Sequence, residues 1–96
     1  MTAYVIFLRD DPIRDEAEMA EYQRKTRATK PNPLITPLAI YGAVKALEGP
    51  TPDGVIILSF PTVADAEQWY DSPEYQDAMA HRKKAADYRA IIVQGL

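Results

Sequence analysis

Three short segments of this chain, Ala3 to Arg9, Val55 to Phe60 and Tyr88 to Val93, are rich in β-branched and aromatic residues and are apolar on both of their alternating faces. Successive side chains of a strand point to opposite sides of a sheet, so each such strand asks for apolar company above and below it. A chain of 96 residues makes one domain, residues 1–96, with one small core, and has little material with which to cover two sheet faces.

The segments between the strands supply helices. From Pro12 to about Thr29 there is no internal Gly or Pro; Ile13, Ala17 and Ala20 fall on one side, with Met19 and Tyr22 widening that arc. Arg14, Glu18, Glu21 and Lys25 lie opposite, which predicts a solvated charged face carrying Arg14/Glu18 and Glu21/Lys25 pairs at i,i+4. Pro31, Pro33 and Pro37 then interrupt regular structure. Leu38 to Leu47 reads as a second strand, Glu48 to Gly54 as a turn, and Val55 to Phe60 as its hairpin partner. Thr62 is placed to cap a short helix with Val63, Ala66, Trp69 and Tyr70 inward, and Ser72-Pro73-Glu74 restarts a helix that runs to about Ala86. The order is β-α-β-β-α-β, an α+β ferredoxin-like arrangement with an antiparallel sheet.

Helices on one side of such a sheet leave the other side bare, and here that side carries eight or so large apolar residues. A patch of that kind exceeds the few hundred Å² that soluble monomers expose, and at about 25 cal/mol per Å² its burial is worth many kcal/mol before association costs. The expectation is a homodimer packed sheet to sheet. The competing arrangement is a monomer whose proline-rich loop folds over the face.

Composition removes many chemistries. With no cysteine and one histidine, disulfide scaffolds, thiolate metal sites, cysteine nucleophiles and sites with two imidazoles are excluded. A net charge of −3 argues against nucleic-acid binding, and apolar runs as short as Tyr4 to Leu8 argue against a membrane span. A cytoplasmic protein that uses no cofactor is the expectation.

Tyr4-Val5-Ile6, Leu47-Glu48-Gly49, Phe60-Pro61-Thr62, Trp69-Tyr70-Asp71-Ser72-Pro73-Glu74-Tyr75-Gln76, Arg82 and Gly95 together resemble the family called domain of unknown function 1330, of the dimeric α/β-barrel superfamily. The resemblance spans nearly the whole chain, with the stretch from Trp69 to Tyr75 its most specific part. It implies a ferredoxin-like subunit dimerising through its sheet. It implies no single activity, since the superfamily includes cofactor-free monooxygenases, muconolactone isomerases and heme enzymes. Where the family carries a Gly-Gly turn entering the second strand, this chain has the segment from Pro31 to Pro37.

Arg82 is the most informative candidate, because Tyr75, Ala78, Met79, Arg82 and Ala86 share one apolar stripe of the last helix. A guanidinium there must find an acid, Asp71 or Asp87, or address a cleft as a clamp for a carboxylate or enolate. His81, beside it, is the only side chain whose ordinary titration lies near neutrality, and so the default general base; Asp71 is the second candidate proton carrier. Tyr41, Trp69, Tyr70 and Tyr75 are candidates for lining a ligand pocket with Arg82. The residues point to a homodimeric binder of a small anionic or enolisable organic molecule, in one form a cofactor-independent enzyme of monooxygenase or isomerase type. The alternative is a non-catalytic dimerising or ligand-sensing module in which Asp71 and Arg82 form a structural ion pair.

Overall fold

In the computed structural model, which describes residues 1–96, the segment Ala3–Arg9 forms strand β1 near the middle of a four-stranded antiparallel sheet. β2 is Thr36–Ile40, β3 Gly54–Phe60 and β4 Tyr88–Gln94, in the spatial order β2-β3-β1-β4. Helix α1 (Glu16–Ala28) follows β1; α2 (Val63–Asp71) and α3 (Pro73–Ala85) lie between β3 and β4. This is the ferredoxin-like order, with the second crossover helix broken in two.

Local chemistry accounts for each helix start. Asp15 accepts from the Glu18 amide, Thr62 from the Asp65 amide and Ser72 from the Tyr75 amide, each satisfying a donor that the first helical turn leaves free. Ser72 also ends α2, its amide bonding the Trp69 carbonyl, so α2 and α3 share one residue as stop and start. Pro73, with no amide to lose, fits the first position of α3.

The register places Val5 opposite Leu58 and Ile92, and Phe7 opposite Ile56 and Ala90, on the face that meets the helices. Val5, Phe7, Leu58 and Phe60 pack there against Ala66, Tyr75 and Met79. On the opposite face Ile6 lies between Ile57 and Ile91, and Tyr4 between Ser59 and Val93. The molecule is 17 Å in its thinnest dimension, enough for one sheet and one helical layer, so this second apolar face has no helix of its own. Ile91 and Val93 are 52% and 44% exposed there. No helix is long and apolar enough to cross a membrane.

Two expectations need correction. β2 starts at Thr36 and ends at Ile40, rather than running from Leu38 to Leu47. Pro37 is tolerated inside it because β2 is an edge strand and its ladder is irregular between Pro37 and Ala39, where a missing amide donor does little harm. The charged face of α1 is also not a free solvated face. Ala17 and Ala20 are exposed, whereas Arg14 bonds the Asp87 carboxylate at 3.0 Å, Glu18 the His81 ring at 2.5 Å and Lys25 the Asp77 carboxylate at 2.7 Å. These charges dock α1 on the outer side of α3 and on the turn after it, so the helix is rotated from the orientation its small alanines suggest. Met19 and Tyr22 are the side chains it turns toward the core.

Candidate functional site

Tyr75, Ala78, Met79 and Arg82 of the expected stripe are buried on α3; the helix ends at Ala85, also buried, and the buried Ala86 is its extended cap residue. Arg82 is 4% exposed and makes no ion pair. Its guanidinium carbon lies 5.2 Å from the centroid of the Phe7 ring and 4.9 Å from that of Tyr88, and its Nε has no hydrogen-bond partner. The acids considered as partners are elsewhere: Asp87 is held by Arg14, and Asp71 is exposed and unpaired. The Asp71–Arg82 ion pair is therefore absent. Two cation–π contacts recover part of the solvation that burial removes, and leave the guanidinium without a counter-charge.

A second arginine completes the arrangement. Strand alternation puts Arg9 on the same face as Ala3, Val5 and Phe7, at the end of β1. Arg9 bonds Asp53 at 2.8 and 3.2 Å and the Tyr88 hydroxyl at 3.2 Å, and its guanidinium also lies over the Tyr41 ring at 5.3 Å. Burial disfavours its charge, but the bonds to Asp53 and Tyr88 outweigh this and hold its pKa above the ordinary arginine value. Two guanidinium groups thus flank the Tyr88 ring against one carboxylate, a local excess of positive charge.

Tyr41 is held between these groups. It is the one non-glycine residue with positive φ, at 50°, a conformation that a bulky side chain adopts only when its surroundings fix it. Its ring lies on Gly54, where a Cβ would come within 2.9 Å of two ring carbons, so glycine is required there. Its hydroxyl meets that of Tyr88 at 2.7 Å. A second phenol pair, Tyr22 and Tyr75, meets at 3.2 Å across α1 and α3. Burial pushes the Tyr22, Tyr41 and Tyr75 phenols above the usual tyrosine range, so all three are neutral donors at physiological pH.

These side chains border two cavities. A recess of about 360 Å³ is lined by Tyr70, Arg82, Lys83, Ala86, Asp87, Tyr88 and Ala90. A cleft of about 970 Å³ opens between the sheet, α1 and the start of α3, with Phe7, Met19, Tyr22, Tyr41, Ile56, Trp69 and Tyr75 in its walls. The predicted lining residues are thus divided, Tyr41, Trp69 and Tyr75 facing the cleft and Tyr70 and Arg82 the recess. Trp69 stacks on Tyr75 at 4.2 Å, a contact that stiffens the wall between α2 and α3.

The two proposed proton carriers do not belong to this site. His81 faces α1 and is engaged by Glu18, and Asp71 borders neither cavity. The sequence reading missed Arg9, Tyr88 and Tyr22. Arg9 was detectable from the two-residue period of β1, which aims it inward; its partners Tyr88 and Asp53 are 79 and 44 positions away and carry no local signal. No three His, Asp or Glu side chains converge in a way that could hold a metal.

A ferredoxin-like α+β subunit with a bare apolar sheet face and a cation–phenol site under its helices defines the class structurally. The chain belongs to the family described as domain of unknown function (DUF1330), whose model matches residues 2–96. Among solved structures it is similar to a protein of unknown function from Rhodopseudomonas palustris, with a TM-score of 0.67, 23% identity and coverage of 99% of this chain and 82% of that one. It is also similar to a dimeric protein of unknown function and ferredoxin-like fold from Bacteroides fragilis NCTC 9343, with a TM-score of 0.59, 16% identity and coverage of 98% and 96%. A third similar structure is an ethyl tert-butyl ether d family protein from Bacillus halodurans C-125, with a TM-score of 0.63, 16% identity and full coverage of both chains, 100% each. Nothing among curated proteins matches the chain.

Proposed function

We propose that the protein acts as a homodimer, paired through its uncovered sheet face, and binds a small anionic or enolisable organic molecule at Arg82. The observation that carries the binding reading is the state of that arginine: buried, flanked by two aromatic rings, free of any carboxylate and bordering a recess. A buried charge without a partner is costly, and an anionic ligand entering the recess relieves that cost through charge-assisted hydrogen bonds. Ile6, Ile57, Ile91 and Val93 on the bare face support the dimer, as does the dimeric state of the similar Bacteroides fragilis protein.

Binding without chemistry is favoured over catalysis by the contents of the recess. Its only acid, Asp87, is tied to Arg14, and neither His81 nor Asp71 reaches it. An enolising activity is the second reading, favoured by the neutral phenols that stand with the guanidinium where negative charge would develop. Thermal denaturation with formate, acetate, pyruvate and phenol, on the native protein and on Arg82→Gln, tests both. A ligand at a hundred times its Kd adds about 2.7 kcal/mol of stability, a rise of roughly 10 to 20 °C for a domain this size. That rise should vanish in the variant. Equal rises in both proteins, or none in the native protein, would overturn the assignment.

A further inference from the structure

The recess and the cleft adjoin where two tyrosine hydroxyls meet. Tyr41 belongs to the wall of the cleft and Tyr88 to the wall of the recess, and their hydroxyls meet at 2.7 Å. Arg82 stands directly behind this boundary, between the Phe7 ring, which faces the cleft, and the Tyr88 ring, which faces the recess. A group held by the guanidinium on one side and a group resting on Phe7 on the other are only a few covalent bonds apart, given the 5.2 Å between Arg82 and the Phe7 centroid.

The two compartments ask for different chemistry. The recess, at about 360 Å³ and bordered by Arg82 and Lys83, takes an anionic head group. The cleft, at about 970 Å³ and walled by Phe7, Met19 and Trp69, takes a flat apolar body of the size that organic ligands usually present. A head group alone leaves the cleft to water, and an apolar body alone leaves Arg82 uncompensated.

Tyr41 is held by contacts that a ligand can replace. It is 39% exposed, follows an edge strand and holds a positive-φ backbone. Its hydroxyl bonds only another phenol, a neutral contact that is weaker than a charge-assisted one. When it leaves, Tyr88 keeps its bond from Arg9, and its hydroxyl hydrogen is free to donate.

We propose that the Tyr41–Tyr88 hydrogen bond is a partition that the ligand displaces, and that the ligand is a carboxylate carrying a flat apolar body, its head on Arg82 and its body in the cleft. This rests on the assignment of Arg82 as the anion contact. Calorimetric titration of phenylacetate, 3-phenylpropionate, 4-phenylbutyrate, acetate and 2-phenylethanol against the native protein, Tyr41→Phe, Tyr88→Phe and Arg82→Gln tests it. At least one of the three aryl carboxylates should bind the native protein more than tenfold tighter than acetate or 2-phenylethanol. Tyr41→Phe, which removes the closed state's one net hydrogen bond, should tighten that binding about fivefold and leave acetate unchanged. Tyr88→Phe opens the partition from the other side, and the same aryl carboxylate should still outbind acetate in it. Arg82→Gln should lose the carboxylates altogether. Equal affinity of the aryl carboxylate for the native protein and Tyr41→Phe, or an equal gain for acetate, overturns the partition while leaving Arg82 as the anion contact. Retention of binding in Arg82→Gln overturns both; no binding of any aryl carboxylate overturns the partition, and overturns both if acetate does not bind either.

Discussion

Replacing Arg82 by methionine separates a ligand-facing arginine from a structural one through stability alone. A structural buried arginine is paired, and removing one member of a buried ion pair costs about 3 to 5 kcal/mol because the other charge is stranded. Arg82 strands no charge when it leaves, since no carboxylate is paired with it, and the Tyr75 hydroxyl beside it keeps its partner in Tyr22. Methionine keeps most of the apolar stem that packs beside Phe7 and Tyr88 and deletes the unsatisfied Nε. The loss is two cation–π contacts, about 1 kcal/mol each in a partly desolvated site. The gain is relief of a buried donor without a partner, about 1 to 3 kcal/mol. These nearly cancel, so Arg82→Met should lie within about 1 kcal/mol of the native protein, or about 4 to 8 °C in Tm. Urea denaturation at fixed protomer concentration, followed by circular dichroism, measures it without any ligand. A loss above about 3 kcal/mol would refute the reasoning, because only a partner stranded by the substitution produces a cost of that size.

Alkaline stability follows from the buried phenols. Tyr22 and Tyr75 hold their protons more tightly folded than unfolded, so their contribution is complete below the unfolded tyrosine pKa of about 10 and is lost as pH rises through the folded values. Stability should fall above pH 10 by up to about 1.4 kcal/mol per pH unit for each phenol, and a flat profile to pH 11 in denaturant titrations would contradict this. His81→Gln should cost under about 1 kcal/mol, because the pair with Glu18 is partly solvated, and should leave carboxylate binding in calorimetry unchanged. Gly54→Ala drives a Cβ into the Tyr41 ring and should cost about 1 to 3 kcal/mol in urea denaturation, where the same change at an open strand glycine stabilises. Ile57→Asp, in the row that also holds Ile6 and Ile91, should turn the proposed dimer into monomer by sedimentation velocity.

The sequence discloses those parts of the fold that are decided locally. Thr62, Ser72 and Pro73 announce their helix starts because capping needs only a side chain and an amide a few residues apart. The strands announce themselves by bulk on both faces, and Arg82 by interrupting a stripe. What escapes local reading is decided by distant partners. The rotation of α1 depends on Asp77, His81 and Asp87, which outweigh the weak apolar pull of Ala17 and Ala20. The end of β2 depends on Tyr41 entering a positive-φ conformation that its contacts with Arg9, Gly54 and Tyr88 hold in place. The position of His81 was hidden for the same reason: its neighbour in the folded chain is Glu18, 63 positions away.

Trp69 gives the protein an intrinsic optical reporter. It is the chain's only tryptophan, and its indole touches Phe7 and Phe60 of the sheet, Tyr70 of its own helix and Tyr75 of α3, while forming part of the cleft wall. Its emission colour and quenching therefore register, in one unlabelled signal, the separation of the sheet from α3 and the replacement of water by an organic molecule beside the ring. Occupancy of the cleft becomes a spectral change that can be followed in stopped flow at micromolar protein, with no chromophore required on the ligand.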